Sequence, residues 1–277
     1  MRQATGVAQS GTPQPDDLLL PRSSLLLTVE EVRLLWAFVH GDIMDGGIRV
    51  QLRDSLGLCP RHTWAYAVVE IELWQTGAGV RAGHQPFDVT VLYGDLLGHV
   101  AAGLTRPATP FRRHPESILT PSGRCRVCVE LAPSGYSGMR LGYAASNSAA
   151  LTDEANLYTW TRQWCVETVP IWRSLVCPVC DAGPRRMGRM VDEPRLLCRT
   201  HLRGLGQLSA ALREEVAARL RELQQRMRRL TTSMTQHGAP ATPQDDASWI
   251  ETLGFFAGWG LPVHLSDITQ HPDERTT

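Results

Sequence analysis

Four short pairs of cysteine and histidine residues stand out in this sequence, each with two residues between its two side chains. Two pairs are Cys-x-x-Cys and two are Cys-x-x-His, and together they use six of the seven cysteines. Zinc favours four tetrahedral ligands and binds thiolate sulfur and imidazole nitrogen, so eight such residues can supply two Cys3His sites. The pairs are Cys59/His62, Cys125/Cys128, Cys177/Cys180 and Cys198/His201.

The distance between the pairs along the chain indicates which of them share an ion. Only 17 residues separate Cys180 from Cys198, and a loop of that length costs little to close. We therefore assign the last two pairs to one site. The Cys59/His62 pair and the Cys125/Cys128 pair are left for a second site, which would join segments more than sixty residues apart. A site with four protein ligands has no position for water or substrate, so both predicted zinc ions are structural.

Two other interpretations of the cysteines stay open. Iron–sulfur clusters usually require four thiolates, and these pairs include two histidines. The pairs could also be buried structural cysteines without a metal. The seventh cysteine, Cys165, lies between Trp164 and Val166, and we interpret it as a small buried apolar side chain rather than a reactive thiol.

Composition limits the classes of function. The 28 basic and 28 acidic residues give a formal net charge of zero, whereas nucleic-acid-binding proteins usually carry a basic excess. No apolar run approaches the length of a membrane span, and the N-terminal residues do not resemble a signal peptide. Because cysteine pairs in a chain without an export signal favour reduced thiols that hold metal, we expect a cytoplasmic protein.

Apolar residues recur at helical spacing through most of the chain, and no segment shows the alternation of a strand. The sequence therefore predicts an all-α fold, a helical bundle stapled by two zinc-knuckle-like sites. Capping boxes predict helix starts at Thr28 and Ser248. The first predicted helix begins at 28. The other predicted helices span 48–56, 64–74, 87–104, 152–172 and 248–259, and a long amphipathic helix spans 205–230. The predicted organisation is a disordered leader over 1–27, an N-terminal helical domain over 28–132, a flexible insertion over 133–150, a C-terminal helical domain over 151–264 and a loose tail over 265–277.

The sequence leaves three functions open, and it identifies no catalytic or cofactor-binding residues beyond the metal ligands. The first is a protein-binding or regulatory module, with a protein partner or a second copy on the 205–230 helix. The second is a small-molecule enzyme with a pocket lined by Trp160, Trp164 and Trp172. The third, which the charge balance disfavours, is nucleic-acid binding through arginines near the second site and on the helix after it. Those arginines are Arg185, Arg186, Arg189, Arg195, Arg199, Arg203, Arg213, Arg219, Arg221, Arg226, Arg228 and Arg229.

Several stretches together resemble a bacterial family of cysteine-rich helical proteins that is classed as a domain of unknown function. The resemblance spans most of residues 28–260 and implies a metal-stabilised helical fold without a known activity. In that family a Cys-x-x-Cys pair precedes the first helix, whereas here no cysteine precedes Cys59, so we place Cys125/Cys128 with Cys59/His62. The matching stretches are Gly47–His62, Leu92–Leu97, the Cys-x-x-Cys pairs, Leu197–Leu202 and Ser248–Gly258.

Overall fold

The computed structural model describes residues 25–39, 45–74, 83–107, 114–132, 147–182, 193–235 and 237–270. These residues form helices and short 3-10 turns and contain no strand, which confirms the all-α prediction. Among them, no helix combines the length and the hydropathy that a membrane crossing requires. The helices are α1 Val29–Val39, α2 Gly46–Asp54, α3 Pro60–Leu73, α4 Phe87–Leu104, α5 Arg126–Leu131, α6 Ser148–Ala155, α7 Thr159–Trp172, α8 Pro178–Ala182, α9 Arg199–Gly204, α10 Ala210–Ser233, α11 Pro243–Ala257 and α12 Gly260–Gln270.

Helix α3 is the centre of the bundle, and nearly every residue of it is buried. It packs against α1, α4, α6, α7 and α11. Two buried carboxylates of α3 also accept hydrogen bonds from the free backbone N–H groups at the start of other helices. Glu70 accepts from Val89 N at 2.9 Å at the start of α4, and Glu72 accepts from Thr161 N at 2.7 Å at the start of α7. Because each helix start leaves N–H groups without a partner, these two contacts fix α4 and α7 on α3.

The first helix begins at the predicted capping box, whereas α2, predicted over 48–56, runs from Gly46 to Asp54. Thr28 Oγ1 accepts from Glu31 N at 3.2 Å, and Glu31 accepts from Thr28 N at 2.9 Å, which is the predicted capping box of α1. After α2 the chain turns at Gly57, with φ +90°, and a Cβ there would lie 2.9 Å from the ring of Tyr93. Two features of this position therefore require glycine: the positive φ and the lack of space beside Tyr93. The chain continues from this turn to Cys59.

The prediction of one helix over 152–172 is wrong, because the chain forms α6 and α7 with a break between them. Tyr158, at the start of α7, has a left-handed φ of 54°, which interrupts the helical path. Pro170 lies inside α7, which continues to Trp172. Most of the predicted insertion over 133–150 lies outside the described residues, but its last residues, from Ser148, belong to α6.

The 205–230 helix also needs correction. Gly206 has φ +75° and lies in a turn, so Leu205 and Leu208 precede α10, whose N-cap is Ser209. The apolar stripe of α10 is buried against α4 and α11 and is not an open surface for a partner. The buried apolar residues of this stripe are Val216, Leu220, Leu223, Met227 and Leu230.

At the C-terminus, α11 begins and ends earlier than the predicted 248–259, and α12 was not predicted. A capping box of Thr242 and Asp245 starts α11, whereas Ser248 and Glu251 lie inside that helix. The predicted box at Ser248 is wrong because Ser248 Oγ donates to the Asp245 carbonyl at 2.6 Å, and Glu251 pairs with Arg226. Helix α12 runs to Gln270, so the predicted loose tail over 265–277 is helical at its start, and 271–277 lie outside the described residues.

Candidate metal centres

The eight predicted ligands lie in two groups of four, with the pairing that the sequence predicts. The first cluster contains Cys59, His62, Cys125 and Cys128, and the second contains Cys177, Cys180, Cys198 and His201. Within each cluster all four ligand atoms lie within 4.8 Å of one another. The seven cysteines form no disulfide with one another.

All four pairs use the same local structure, a helix start. The first cysteine of each pair stands immediately before a helix, and the second ligand lies in its first turn three residues later. In each case the carbonyl of the first cysteine accepts the first helical hydrogen bond, at 2.8–3.0 Å. Both side chains then lie beside the positive end of the helix, which favours thiolate. The four bonds run from Thr63 N to Cys59 O, Val129 N to Cys125 O, Asp181 N to Cys177 O and Leu202 N to Cys198 O.

The distances in the first cluster fit one tetrahedral ion. Ligands at ordinary zinc distances lie about 3.8 Å apart for two sulfurs and about 3.5 Å apart for sulfur and nitrogen. Here Cys59 Sγ lies 3.7 Å from Cys128 Sγ. His62 Nδ1 lies 3.2, 3.5 and 3.3 Å from the sulfurs of Cys59, Cys125 and Cys128. A cluster of iron and sulfide would hold its ligands farther apart, so a single ion fits this group better.

The second cluster has the same dimensions. Cys180 Sγ lies 3.8 Å from Cys198 Sγ, and His201 Nδ1 lies 3.4, 3.6 and 3.1 Å from the sulfurs of Cys177, Cys180 and Cys198. Cys177 and Cys198 are buried, whereas Cys180 and His201 are half-buried. The backbone N–H of Trp259 also hydrogen-bonds to the Cys180 thiol, which links this cluster to the junction between α11 and α12.

The electrostatics of the first cluster favour a cation between the four side chains. Hydrogen bonds from Cys128 and Cys59 lower the pKa of the Cys125 thiol, whereas contact with Cys125 and Cys59 raises the pKa of Cys128. Three thiols this close cannot all ionise unless a positive charge lies among them. Burial alone would lower the pKa of His62, but its bonds to Cys125, Cys59 and Glu31 raise that pKa to about 11. The donor set therefore fits a divalent metal ion, whose charge would allow all three thiolates to form.

A carboxylate holds the far side of the first histidine. His62 Nε2 lies 3.1 Å from Glu31 Oε1, so Nδ1 is left to face the three sulfurs. Arg61 donates to the same carboxylate through Nε at 2.6 Å and Nη2 at 2.9 Å. Burial opposes the ionisation of Glu31, but the bonds from His62, Arg61 and Thr28 outweigh it and hold the pKa of Glu31 well below its usual range. A buried carboxylate on the second nitrogen of a metal-binding histidine fixes the ring and its tautomer.

Glu31 is the functional residue that sequence reasoning missed. The capping box at Thr28 identifies Glu31 as a helix-start residue, but its contact with His62 joins residues 31 positions apart. One signal existed: Glu31 precedes Val32 and Leu35 on the buried face of α1, where a lone carboxylate needs a partner. In the second cluster, no described residue forms a hydrogen bond with Nε2 of His201.

The other candidate residues take structural positions. Cys165 is fully buried, and burial raises the pKa of its thiol, as expected for a packing role. Trp160 stacks on His84 with ring centres 4.2 Å apart, and Trp164 Nε1 donates to the His84 carbonyl at 3.1 Å. Trp172 is buried and stacks on Trp259 at 5.9 Å. These three rings pack against other groups, and the described cavity is lined by other residues.

Most of the described arginines are engaged within the protein. Arg226 donates to both oxygens of Glu251 at 2.7 and 2.9 Å, and Arg229 donates to Asp245 at 2.9 Å. Arg199 is buried and donates to the Leu119 carbonyl at 3.1 Å. Arg213 and Arg221 form ion pairs with Glu116 and Glu214, and Arg219 donates to the carbonyl of Arg195. Arg185, Arg186 and Arg189 lie outside the described residues.

Comparisons with known proteins give no relative for this chain. No protein-family model matches the sequence, and no curated protein or solved structure is significantly similar to it. The function is therefore inferred from the geometry of the two clusters and of the surfaces around them.

Proposed function

We propose that this protein binds two zinc ions, one in each Cys3His cluster, and that both ions are structural. The observation that carries the proposal is the spacing of the ligands. In both clusters the sulfur–sulfur and sulfur–nitrogen distances, 3.7–3.8 and 3.1–3.6 Å, match a single tetrahedral ion. Three thiolates and one imidazole suit zinc, whereas magnesium, calcium and manganese prefer oxygen ligands.

Four protein ligands complete a tetrahedral site, so neither centre offers a position at which a substrate could displace water. The proposed role is therefore that of a binding or regulatory module rather than of a metalloenzyme. The absence of disulfides among the seven cysteines supports a reducing compartment, which is consistent with the cytoplasm. The resemblance to the cysteine-rich helical family is part of the same proposal, because its matching stretches hold all eight ligands.

The geometry supports the two alternatives less well. A tryptophan-lined enzyme pocket would need space beside Trp160, Trp164 and Trp172, and these rings instead pack against His84 and other tryptophans. A nucleic-acid surface would need free arginines, and four of the six arginines on α10 form ion pairs with Glu116, Glu214, Asp245 and Glu251. A protein partner would have to bind a surface other than the buried stripe of α10.

Elemental analysis of protein purified without chelators tests the proposal. We expect about two zinc ions per chain. The matched control is the Cys165→Ala variant, which removes a cysteine that belongs to neither cluster and should keep both ions. A wild-type protein with no zinc, or one that carries iron and sulfide, would contradict the proposal.

A further inference from the structure

A cavity of about 430 Å³ opens on the side of the bundle near the first cluster. It lies between the end of α2, the last turns of α4 and the segment 114–122, and its volume falls in the range of small-molecule sites. Its lining includes no metal ligand and no tryptophan. The cavity is therefore separate from the two clusters and from the predicted tryptophan-lined pocket.

Hydrogen-bond donors and positive charge dominate the side chains around this cavity. Arg106 is exposed at its edge, and no acidic side chain of the described residues forms an ion pair with it. Arg53 donates through both Nε and Nη2 to Oδ2 of Asp95, at 3.2 and 2.7 Å. His99 lies on the wall, where burial and then the charge of Arg53 lower the pKa of its imidazole. The other polar side chains of the lining are Asp54, His114, Ser117, Thr120 and Ser122.

We propose that this cavity binds a small hydroxylated oxyanion, with Arg106 as its principal charge contact and His99 as a second hydrogen-bond partner. A guanidinium presents several N–H donors in a planar fork that matches the oxygens of a phosphate or carboxylate. The ligand is small because the cavity volume limits it. It carries hydroxyl groups because Asp54 is a carboxylate in the lining and would accept from them while repelling a second anionic group.

The walls of the cavity are fixed by contacts on both sides. Ser122 N and Gly123 N donate to the Asp54 carbonyl at 2.7 and 3.1 Å, which joins the 114–122 segment to the end of α2. A Cβ at Gly103 would clash with the Ile118 side chain, so the same segment packs directly on the backbone of α4. A site held in this way needs little rearrangement to bind a ligand.

Both metal clusters also hold the 114–122 segment in place, and this step rests on the proposed zinc sites. Cys125 of the first cluster follows the segment by three residues. Arg199, between two ligands of the second cluster, donates to the Leu119 carbonyl at 3.1 Å. Glu116 at the start of the segment pairs with Arg213 on α10 at 2.9 Å. The structural zinc ions would then have a functional consequence, because they would set the width of the cavity.

The test is isothermal titration calorimetry of the zinc-containing wild-type chain with glycerol 3-phosphate and, separately, with glycerate, a hydroxylated monocarboxylate. Sodium chloride at equal ionic strength is the blank. We expect saturable binding of at least one of the two probes with a Kd of about 1 mM or tighter. The Arg106→Ala variant should weaken binding by at least about 10-fold, and Arg106→Lys, which keeps the charge but not the fork, should give an intermediate loss. The matched control is Arg228→Ala, which removes an exposed arginine of α10 outside the cavity.

Each outcome decides the proposal. Binding of the phosphate alone, or of glycerate alone, supports it and identifies which oxyanion the site prefers. No saturable binding of either probe up to about 20 mM overturns it. So does binding that Arg106→Ala leaves unchanged. Zinc content measured on the same samples distinguishes the zinc proposal from the oxyanion proposal. A chain that holds two zinc ions but binds no anion contradicts only the oxyanion proposal.

Discussion

The two Cys3His clusters are built from the same local parts but join very different lengths of chain. The first joins the start of α3 to the start of α5, with residues 63–124 between its two pairs. The second joins α8 to α9 across residues 181–197 only. Closing the longer loop costs about 1 kcal/mol more in chain entropy, and the packing of the helices between the two pairs must offset that cost. The same helix-start motif can therefore join segments that are distant in the sequence, as in the first cluster, or neighbouring segments, as in the second.

The clusters also differ in how their histidines are supported. His62 is buried and held by Glu31, which Arg61 holds in turn. His201 is half-buried, and its outer nitrogen has no hydrogen-bond partner among the described residues. The protein therefore fixes the orientation of His62 by a hydrogen bond, whereas the orientation of His201 depends more on its ion.

The largest effect is expected when the first cluster loses its distant pair. The Cys125→Ser/Cys128→Ser double variant should lose one zinc ion and on the order of 5 kcal/mol of unfolding free energy, given the size of zinc contributions to folding. It also leaves Cys59, His62 and their carboxylate buried without their ion. Zinc analysis and urea unfolding measure both effects, with Cys165→Ala as the control. Loss of both ions from a chain that stays helical would mean that the ligand pairs are interleaved and that the assignment is wrong.

A smaller and more local effect is expected at the second cluster. The Cys180→Ser/Cys198→Ser variant should also lose one zinc ion, but the main loss of protection from hydrogen exchange should lie within residues 177–204. The fall in global stability should be smaller than that of the first variant, because this ion joins the successive helices α8 and α9, whereas the first joins α3 to α5. Equal destabilisation by the two double variants would contradict this difference between the two clusters.

The sequence predicted the two Cys/His clusters better than the helix boundaries, for a physical reason. A Cys-x-x-His pair is a local pattern, and two ligands in the first turn of a helix face one ion without help from the rest of the fold. The turn before α10 depends on a left-handed φ of 75° at Gly206, which apolar spacing does not reveal. The predicted 205–230 helix therefore included this turn. The contact of Glu31 with His62 could not be predicted, because it needs the packing of α1 on α3. Neither could the cavity, whose lining comes from three separate segments.

The carboxylate behind His62 gives the next prediction. The Glu31→Gln variant should bind the first zinc ion about 10–100-fold more weakly, the usual cost of losing such a partner, while the second ion is unaffected. Competition with a chromogenic chelator measures the two affinities. Thr28→Ala is the control, because it removes one hydrogen bond of the α1 capping box but keeps the contact of Glu31 with His62. An equal loss of affinity in both variants would show that Glu31 acts only through the start of α1.

The smallest expected effect concerns a carboxylate that caps a helix but does not contact a metal ligand. Asp245 occupies the same place in the α11 capping box that Glu31 occupies in α1, but it pairs with Arg229 rather than with a metal ligand. We expect Asp245→Asn to cost about 1 kcal/mol of stability and to leave both zinc affinities unchanged.

The pH dependence of this cost has a defined sign. Burial raises the pKa of Asp245, but hydrogen bonds from Arg229 and Thr242 outweigh that effect and hold it below its usual range. A depressed carboxyl pKa stabilises the fold fully above the unfolded value of about 3.9, and this stabilisation is lost as the pH falls through the folded value. The difference in urea midpoint between wild type and Asp245→Asn should therefore stay constant from about pH 8 to about pH 5 and shrink only below about pH 4. A difference that grew on acidification, or a loss of zinc in this variant, would show that the two capping boxes do not differ as the structure indicates.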